Sequence, residues 1–126
     1  MVQADISQLS RECNTWRDAL RNYRDELNNY KQKLQELAQR PLSKDDLTDV
    51  EHYHNQFHIQ LINIHDLKQA IKTHDRKVVF ETGVNNGALH EETLADHENL
   101  YDQYQHLDQT LQELRQEFDS FANRAV

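Results

Sequence analysis

The chain has 126 residues, of which 37% are hydrophobic, and its mean hydropathy of -0.99 marks an unusually polar sequence. Its 22 acidic and 14 basic side chains give a formal net charge of -8, which repels phosphate backbones, so we expect no nucleic-acid partner. Two glycines and one proline are too few for a sheet protein rich in turns and favour long helices.

The apolar runs and the cysteine content both bear on location. The longest apolar run, residues 78–80, has three residues, whereas a membrane-spanning helix needs about 20. The single Cys13 permits no internal disulfide, which is typical of a reducing compartment. We therefore expect a cytoplasmic protein with no membrane partner.

A first helix is predicted over residues 5–39, with Asp5 as its capping residue. Its apolar positions alternate in steps of three and four, the spacing of a coiled-coil seam. These positions are Ile6, Leu9, Cys13, Trp16, Leu20, Tyr23, Leu27, Tyr30, Leu34 and Leu37. Pro41 lacks an amide hydrogen and restricts the residue before it, so the helix ends just before it.

A second helix is predicted over residues 44–80, with Ser43 as its cap. Its seam is Leu47, Val50, His54, Phe57, Leu61, Ile64, Lys68, Ile71, Asp75 and Val78. Because the connection around Pro41 is only a few residues long, the first two helices form an antiparallel hairpin. Gly83 is predicted to end this helix in the left-handed conformation.

A third helix is predicted over residues 87–125, capped by Asn85 or Asn86. Its seam is His90, Thr93, His97, Leu100, Tyr104, Leu107, Leu111, Leu114, Phe118 and Phe121. Three seams joined by two short turns predict one all-α domain over residues 1–126. Its three long antiparallel helices form an up-down-up, coiled-coil-like bundle, similar in architecture to a spectrin-type repeat, which also has a tryptophan in its first helix.

Antiparallel packing predicts which polar seam residues meet. Cys13 and His97 share one level, His74 lies close to it, and His90 belongs to the same end of the bundle. Thiolate and imidazole are zinc ligands, so these four residues form a candidate metal site. The alternative is a polar layer without any metal, in which Asp75 accepts a hydrogen bond from His97 or Thr93. The first interpretation implies zinc or another transition metal as a cofactor, and the second implies none.

A second group of histidines lies on the second helix, at His52, His54, His58 and His65. His54 and His58 are one helical turn apart, as a surface metal site requires. Alternatively, His54 bonds Tyr30 within the seam. Glu51 and His54 form a single Glu-x-x-His unit, whereas di-iron bundles need two, so a di-iron centre is not expected.

Four segments carry a resemblance to a known family. They are residues 51–52 and 55–57, the run Leu67-Lys68-x-x-Ile71-Lys72-x-His74, and Leu114-Arg115-x-Glu117-Phe118. Together they resemble an uncharacterised family of small bacterial all-helical proteins. The resemblance implies a bacterial, cytoplasmic protein with no assigned activity, and it carries no binding residues.

The pattern of motifs favours a binding protein over an enzyme, since no nucleophile, phosphate loop or acid–base pair stands out. The leading hypothesis is a non-enzymatic bundle that acts as a protein-protein interaction or scaffolding module and self-associates. Ile59 and Ile62 point away from the seam and are its candidate contacts. The second hypothesis is a metal-binding or metal-sensing bundle that uses the cysteine and histidine side chains.

Overall fold

Three long helices make up most of the computed structural model, which describes residues 2–3 and 5–125. Helix α1 spans Ile6–Ala38, α2 spans Lys44–Val84 and α3 spans Glu91–Ala125. They pack around one core, with α2 running antiparallel to α1 and α3. The predicted all-α three-helix bundle is confirmed.

The first two helices begin at the predicted caps. The Asp5 carboxylate accepts a hydrogen bond from the backbone N–H of Gln8 at 3.2 Å, and the Ser43 hydroxyl accepts one from that of Asp46 at 3.1 Å. Each cap satisfies an amide that the helix leaves without an internal partner, which typically stabilises a protein by about 1 kcal/mol.

The turn between α2 and α3 differs from the prediction. Helix α2 continues through Gly83 to Val84, and the left-handed conformation is adopted instead by Asn86 (φ 52°) and Gly87 (φ 87°). Asparagine and glycine are the residues that tolerate this conformation best, so the pair sets the end of α2. A glycine inside a helix costs only about 1 kcal/mol relative to alanine, which is too little to end α2 at Gly83.

A short antiparallel strand pair lies beside this turn. Strand β1, Val2–Gln3, pairs with β2, Ala88–Leu89, with Val2 opposite Leu89 and Gln3 opposite Ala88. Residues 88–89 are therefore extended, and α3 begins at Glu91, four residues later than predicted. The pairing ties the segment before α1 to the α2–α3 connection.

The hydrophobic core follows the predicted spacing on α1 and α3. Its buried members at predicted positions on these helices are Cys13, Trp16, Leu20, Leu27, Leu34, Leu37, Leu100, Leu107, Leu111, Leu114, Phe118 and Phe121, and Ala122 is buried beside them. Three predicted tyrosines, Tyr23, Tyr30 and Tyr104, pack against this core and are half-buried.

The buried face of α2 is rotated relative to the prediction. Phe57, Ile64, Ile71 and Val78 are buried as expected. The other buried positions are Gln60, Leu67, His74, Glu81 and Thr82. Of the remaining predicted positions, Val50, Leu61, Lys68 and Asp75 are half-buried, and Leu47 and His54 are exposed. The reason is that α2 has two neighbours: Asp75 bonds Ser10 of α1, and the adjacent His74 bonds His97 of α3. Its buried face is centred between them.

The two ends of the bundle have different interiors. The end that contains the α1–α2 turn is filled by aromatic rings, with Phe118 lying 4.9 Å from Tyr30 and 5.0 Å from Phe57 between ring centroids. The other end, beside the strand pair, holds the buried polar side chains of His74 and His97. Within residues 5–125, no helix has an apolar stretch long enough to cross a membrane.

Candidate metal centre

Three ligand-type side chains converge in the polar end of the bundle, one from each helix. They are Cys13 of α1, His74 of α2 and His97 of α3, and one ligand atom from each lies within 4.8 Å of the other two. Their exposed fractions are 0%, 6% and 5%. Cys13 and His97 occupy predicted seam positions, whereas His74 is buried because the buried face of α2 is rotated toward α3.

The two imidazoles are in direct contact. Nε2 of His74 lies 3.0 Å from Nδ1 of His97, a hydrogen-bonding distance, and the ring centroids are 5.1 Å apart. Nε2 of His97 lies 2.7 Å from Oε2 of Glu12. An ionised carboxylate only accepts hydrogen bonds, so His97 carries a proton on Nε2. In neutral His97, Nδ1 is then the acceptor and Nε2 of His74 is the donor.

Glu12 therefore fixes the tautomer of His97 and turns its Nδ1 toward His74 and Cys13. Metal-binding histidines in proteins almost always donate their second ring N–H to a carboxylate or a carbonyl. The Glu12–His97 hydrogen bond is this arrangement, with the half-exposed carboxylate on Nε2 and the unprotonated Nδ1 directed at His74. Sequence reasoning missed Glu12, because it lies one position outside the α1 seam.

Aromatic packing holds His97 on a second side. The Trp16 ring lies 4.9 Å from the His97 ring and 5.7 Å from the ring of Tyr101. A cleft of about 480 Å³, lined by Glu12, Trp16, His97, Glu98 and Tyr101, opens beside them. The cleft reaches the carboxylate side of His97, while the interior side faces Cys13.

Burial controls the protonation of the other two residues. It raises the pKa of the Cys13 thiol to about 12, and the negative charge of Asp75 adds to the effect. Burial also lowers the pKa of His74, with a further contribution from His97. In the metal-free protein at neutral pH, Cys13 is a thiol and His74 is neutral.

A cysteine next to a histidine and a glutamate also invites comparison with a nucleophilic triad. Such a nucleophile must be a thiolate and must be reachable by its substrate. Cys13 is fully buried and its pKa is raised, so neither condition is met. The arrangement suits metal coordination better, because a bound cation supplies the charge that favours the thiolate.

The distance between the two imidazole nitrogens is compatible with a metal ion. Two nitrogens held at 2.0–2.1 Å from zinc in a tetrahedron lie about 3.3 Å apart, and the two imidazole nitrogens here are separated by 3.0 Å. Side-chain movements of well under 1 Å would accommodate this pair. Thiolate and imidazole are ligands of zinc, copper and other late transition metals.

The fourth predicted ligand, His90, is not in this group. It is exposed, and its Nε2 lies 3.5 Å from Oε1 of the buried Glu81. The prediction placed His90 on the buried face of α3, but α3 begins only at Glu91, so the helical spacing does not extend to it. Its contact with Glu81 lies at the end of α2 instead.

The alternative partners predicted for the polar residues also differ from those observed. Asp75 accepts a hydrogen bond from the Ser10 hydroxyl at 2.9 Å, rather than one from His97. Thr93 is buried, and its hydroxyl has no hydrogen-bond partner among the described residues. His54 is exposed, not buried in the seam beside Tyr30.

The remaining α2 side chains singled out from the sequence lie on its surface. His52, His58 and His65 are exposed like His54. Ile59 and Ile62 are exposed by 45% and 48%.

The chain matches no protein-family model, no curated protein and no solved structure. Its function is therefore inferred from the chemistry of its own side chains.

Proposed function

We propose that this chain is a metal-binding helical bundle, in which Cys13, His74 and His97 hold one transition-metal ion. The observation that carries the proposal is the convergence of these three ligand types in the interior, within 4.8 Å of one another. The hydrogen bond from His97 to Glu12 supports it, because it leaves Nδ1 of His97 unprotonated and facing His74.

A bound ion would link all three helices, since each contributes one ligand. Cys13 and His97 are far apart in sequence, so the ion stabilises the folded chain and has no preformed site in the unfolded one. At a free metal concentration 1,000 times the dissociation constant, the stabilisation is about 4 kcal/mol. Metal occupancy would thus be read out as the stability of the bundle, which is how a metal sensor works.

Binding changes the protonation of two ligands. The Cys13 thiol must lose its proton, because the thiolate is the metal ligand. His74 must move its proton from Nε2 to Nδ1, which releases none. We therefore expect about one proton to be released per metal ion at neutral pH.

The proposal is tested with protein that has no polyhistidine tag. Elemental analysis of the purified protein and titration with Zn(II), Co(II), Ni(II) and Cu(I) should show one metal ion per chain and a raised melting temperature. Calorimetry in buffers of different ionisation enthalpy counts the released protons. If no metal co-purifies and none of the four ions changes the melting temperature, the proposal is wrong.

Three variants make the test specific. Cys13→Ser and His74→Gln should each weaken binding by more than the roughly 100-fold that loss of an outer hydrogen-bond partner can cost. His106→Gln is the matched control, because His106 is an exposed histidine on α3. Its affinity for metal should equal that of the unmodified protein.

A protein-protein interaction module that self-associates is the second candidate. Exposed apolar side chains favour it: Phe80, Val84 and Val79 near the end of α2 are exposed by 69%, 63% and 55%. Ile59 and Ile62 form a separate exposed pair on the same helix. Solvent-exposed apolar groups of this size lower their free energy when a second surface covers them.

Light scattering at high micromolar concentration tests this second function. We expect a mass above that of the monomer, and we expect Phe80→Ser and Ile62→Asn to shift it toward the monomer. Leu47→Asn, at another exposed apolar position of α2, is the control. A strict monomer with no co-purifying partner would contradict the self-association.

A further inference from the structure

The number of available ligands restricts which metal the site would hold. Among residues 5–125, no fourth histidine, cysteine, aspartate or glutamate joins Cys13, His74 and His97. Glu12 lies on the far side of the His97 ring, bonded to Nε2, while the inward nitrogen is Nδ1. Asp75 is engaged by Ser10. The inward-facing donor set is one sulfur and two nitrogens.

The surroundings of the sulfur also limit what solvent can add. Cys13 is fully buried, in a core cluster that includes Trp16 and Ile71. One cleft is lined by Glu12 and His97, and a second, of about 460 Å³, is lined by His74 and Asp96. Cys13 lines neither of these two clefts, so the sulfur side of the site is the shielded one. A water molecule bound as a fourth ligand would need room and polar partners on this interior side.

Zinc and copper differ in what they require from such a set. Structural zinc sites are almost always tetrahedral with four protein ligands, and catalytic zinc sites add a water to three. One thiolate with two imidazoles in a three-coordinate arrangement is instead a donor set of copper, in which soft thiolate favours Cu(I). Copper also binds more tightly than zinc in the general order of divalent affinities.

We propose that the preferred metal is a single copper ion, bound in three-coordinate geometry by Sγ of Cys13, Nε2 of His74 and Nδ1 of His97. This inference rests on the proposed metal-binding function and adds the identity and the coordination number of the ion. The same three ligands hold both oxidation states, so the ion changes charge by one electron without losing a ligand.

The test begins with anaerobic titration of the untagged protein with Cu(I) and with Zn(II), each against a competing chelator. Cu(I) should bind one ion per chain and more tightly than Zn(II) by more than about tenfold. One equivalent of ferricyanide then takes one electron from the bound Cu(I), which gives Cu(II) and ferrocyanide. An intense sulfur-to-copper charge-transfer band should appear in the visible spectrum.

Variants assign the band to the site. Cys13→Ser should remove it, because the sulfur ligand is lost, while His106→Gln should keep it unchanged. X-ray absorption of the copper-loaded, unmodified protein is independent of whether Cys13→Ser folds. It should show one sulfur and two nitrogens around the copper, with no fourth ligand.

The outcomes separate the two proposals. If neither Cu(I) nor Zn(II) binds at the site, the metal-binding function itself fails. If metal binds at Cys13 but Zn(II) equals or exceeds Cu(I), or copper takes a fourth ligand, or oxidation produces no charge-transfer band, the copper assignment is wrong and metal binding still stands.

Discussion

The two ends of the bundle are built from the same three helices but have opposite interiors. At the aromatic end, Phe57, Phe118 and Phe121 are buried and stack against half-buried tyrosines. At the polar end, the equivalent layers contain His74 and His97. The burial of apolar side chains is stabilising whatever their relative orientation, whereas buried imidazoles need specific hydrogen-bond partners. We therefore expect the aromatic end to contribute mainly stability, whereas the proposed metal site lies at the polar end.

The largest expected effect is a loss of stability at the aromatic end without a loss of metal affinity. Phe118→Ala should lower the free energy of unfolding by about 3–5 kcal/mol, because it leaves a cavity among packed rings. Urea unfolding measures this loss. Phe118 is 21 residues along α3 from His97, about 30 Å, so metal affinity of the folded protein should not change.

Phe80→Ala is the control for this comparison, since Phe80 is exposed by 69% and its loss should change stability by less than about 0.5 kcal/mol. A large loss of metal affinity in folded Phe118→Ala would show that the two ends are not independent.

A smaller effect is expected from the carboxylate that orients His97. Glu12→Gln should weaken metal binding about 10- to 100-fold, because the amide accepts a weaker hydrogen bond from Nε2 and no longer fixes the tautomer. Glu98→Gln removes the same charge from the same cleft without touching His97, and it should leave affinity almost unchanged. Competition titration compares the two variants, and equal losses in both would assign the effect to net charge alone.

The smallest effect is the pH dependence of the polar end. Burial lowers the pKa of His74 in the folded protein, so below its ordinary value of about 6.5 the unfolded chain binds a proton that the folded chain does not. Stability of the metal-free protein should therefore fall as the pH falls below about 6.5. The slope is at most about 1.4 kcal/mol per pH unit for one proton, and it ends at the lowered folded pKa.

Thermal melting between pH 7.5 and 5.5 measures this slope. Besides burial, four charged or titratable neighbours influence the pKa of His74: Asp75 and Lys77 on α2, and Asp96 and His97 on α3. His74→Gln should flatten the curve, whereas His106→Gln should leave it as it is. An unchanged slope in His74→Gln would show that another group causes the pH dependence of stability.

The fold and part of the site were predictable because both depend on periodicity. The alternating steps of α1 and α3 identify their buried faces, and antiparallel packing places Cys13, His74 and His97 at nearly the same level. The rotation of α2 was not predictable from its own spacing, because it depends on α2 packing against two helices at once. Consecutive residues such as His74 and Asp75 then face different neighbours.

Glu12 and His90 show two other limits of predicting the site from the sequence. Glu12 lies outside the seam, where a carboxylate looks like any solvated surface group, and only the position of His97 gives it a partner. His90 was placed by extending the α3 spacing backwards, but pairing with Val2–Gln3 holds residues 88–89 in an extended conformation. That pairing is a tertiary contact, and the local sequence contains no signal for it.

The strand pair has a practical consequence for any fused peptide. Because Val2–Gln3 pairs with Ala88–Leu89, a peptide attached ahead of residue 2 would start at the end of the bundle that holds His74 and His97. A polyhistidine tag placed there would compete with the proposed metal site for an added ion. The far end of α3, at Ala125, is about 50 Å from its start, so a tag fused beyond it would lie out of reach.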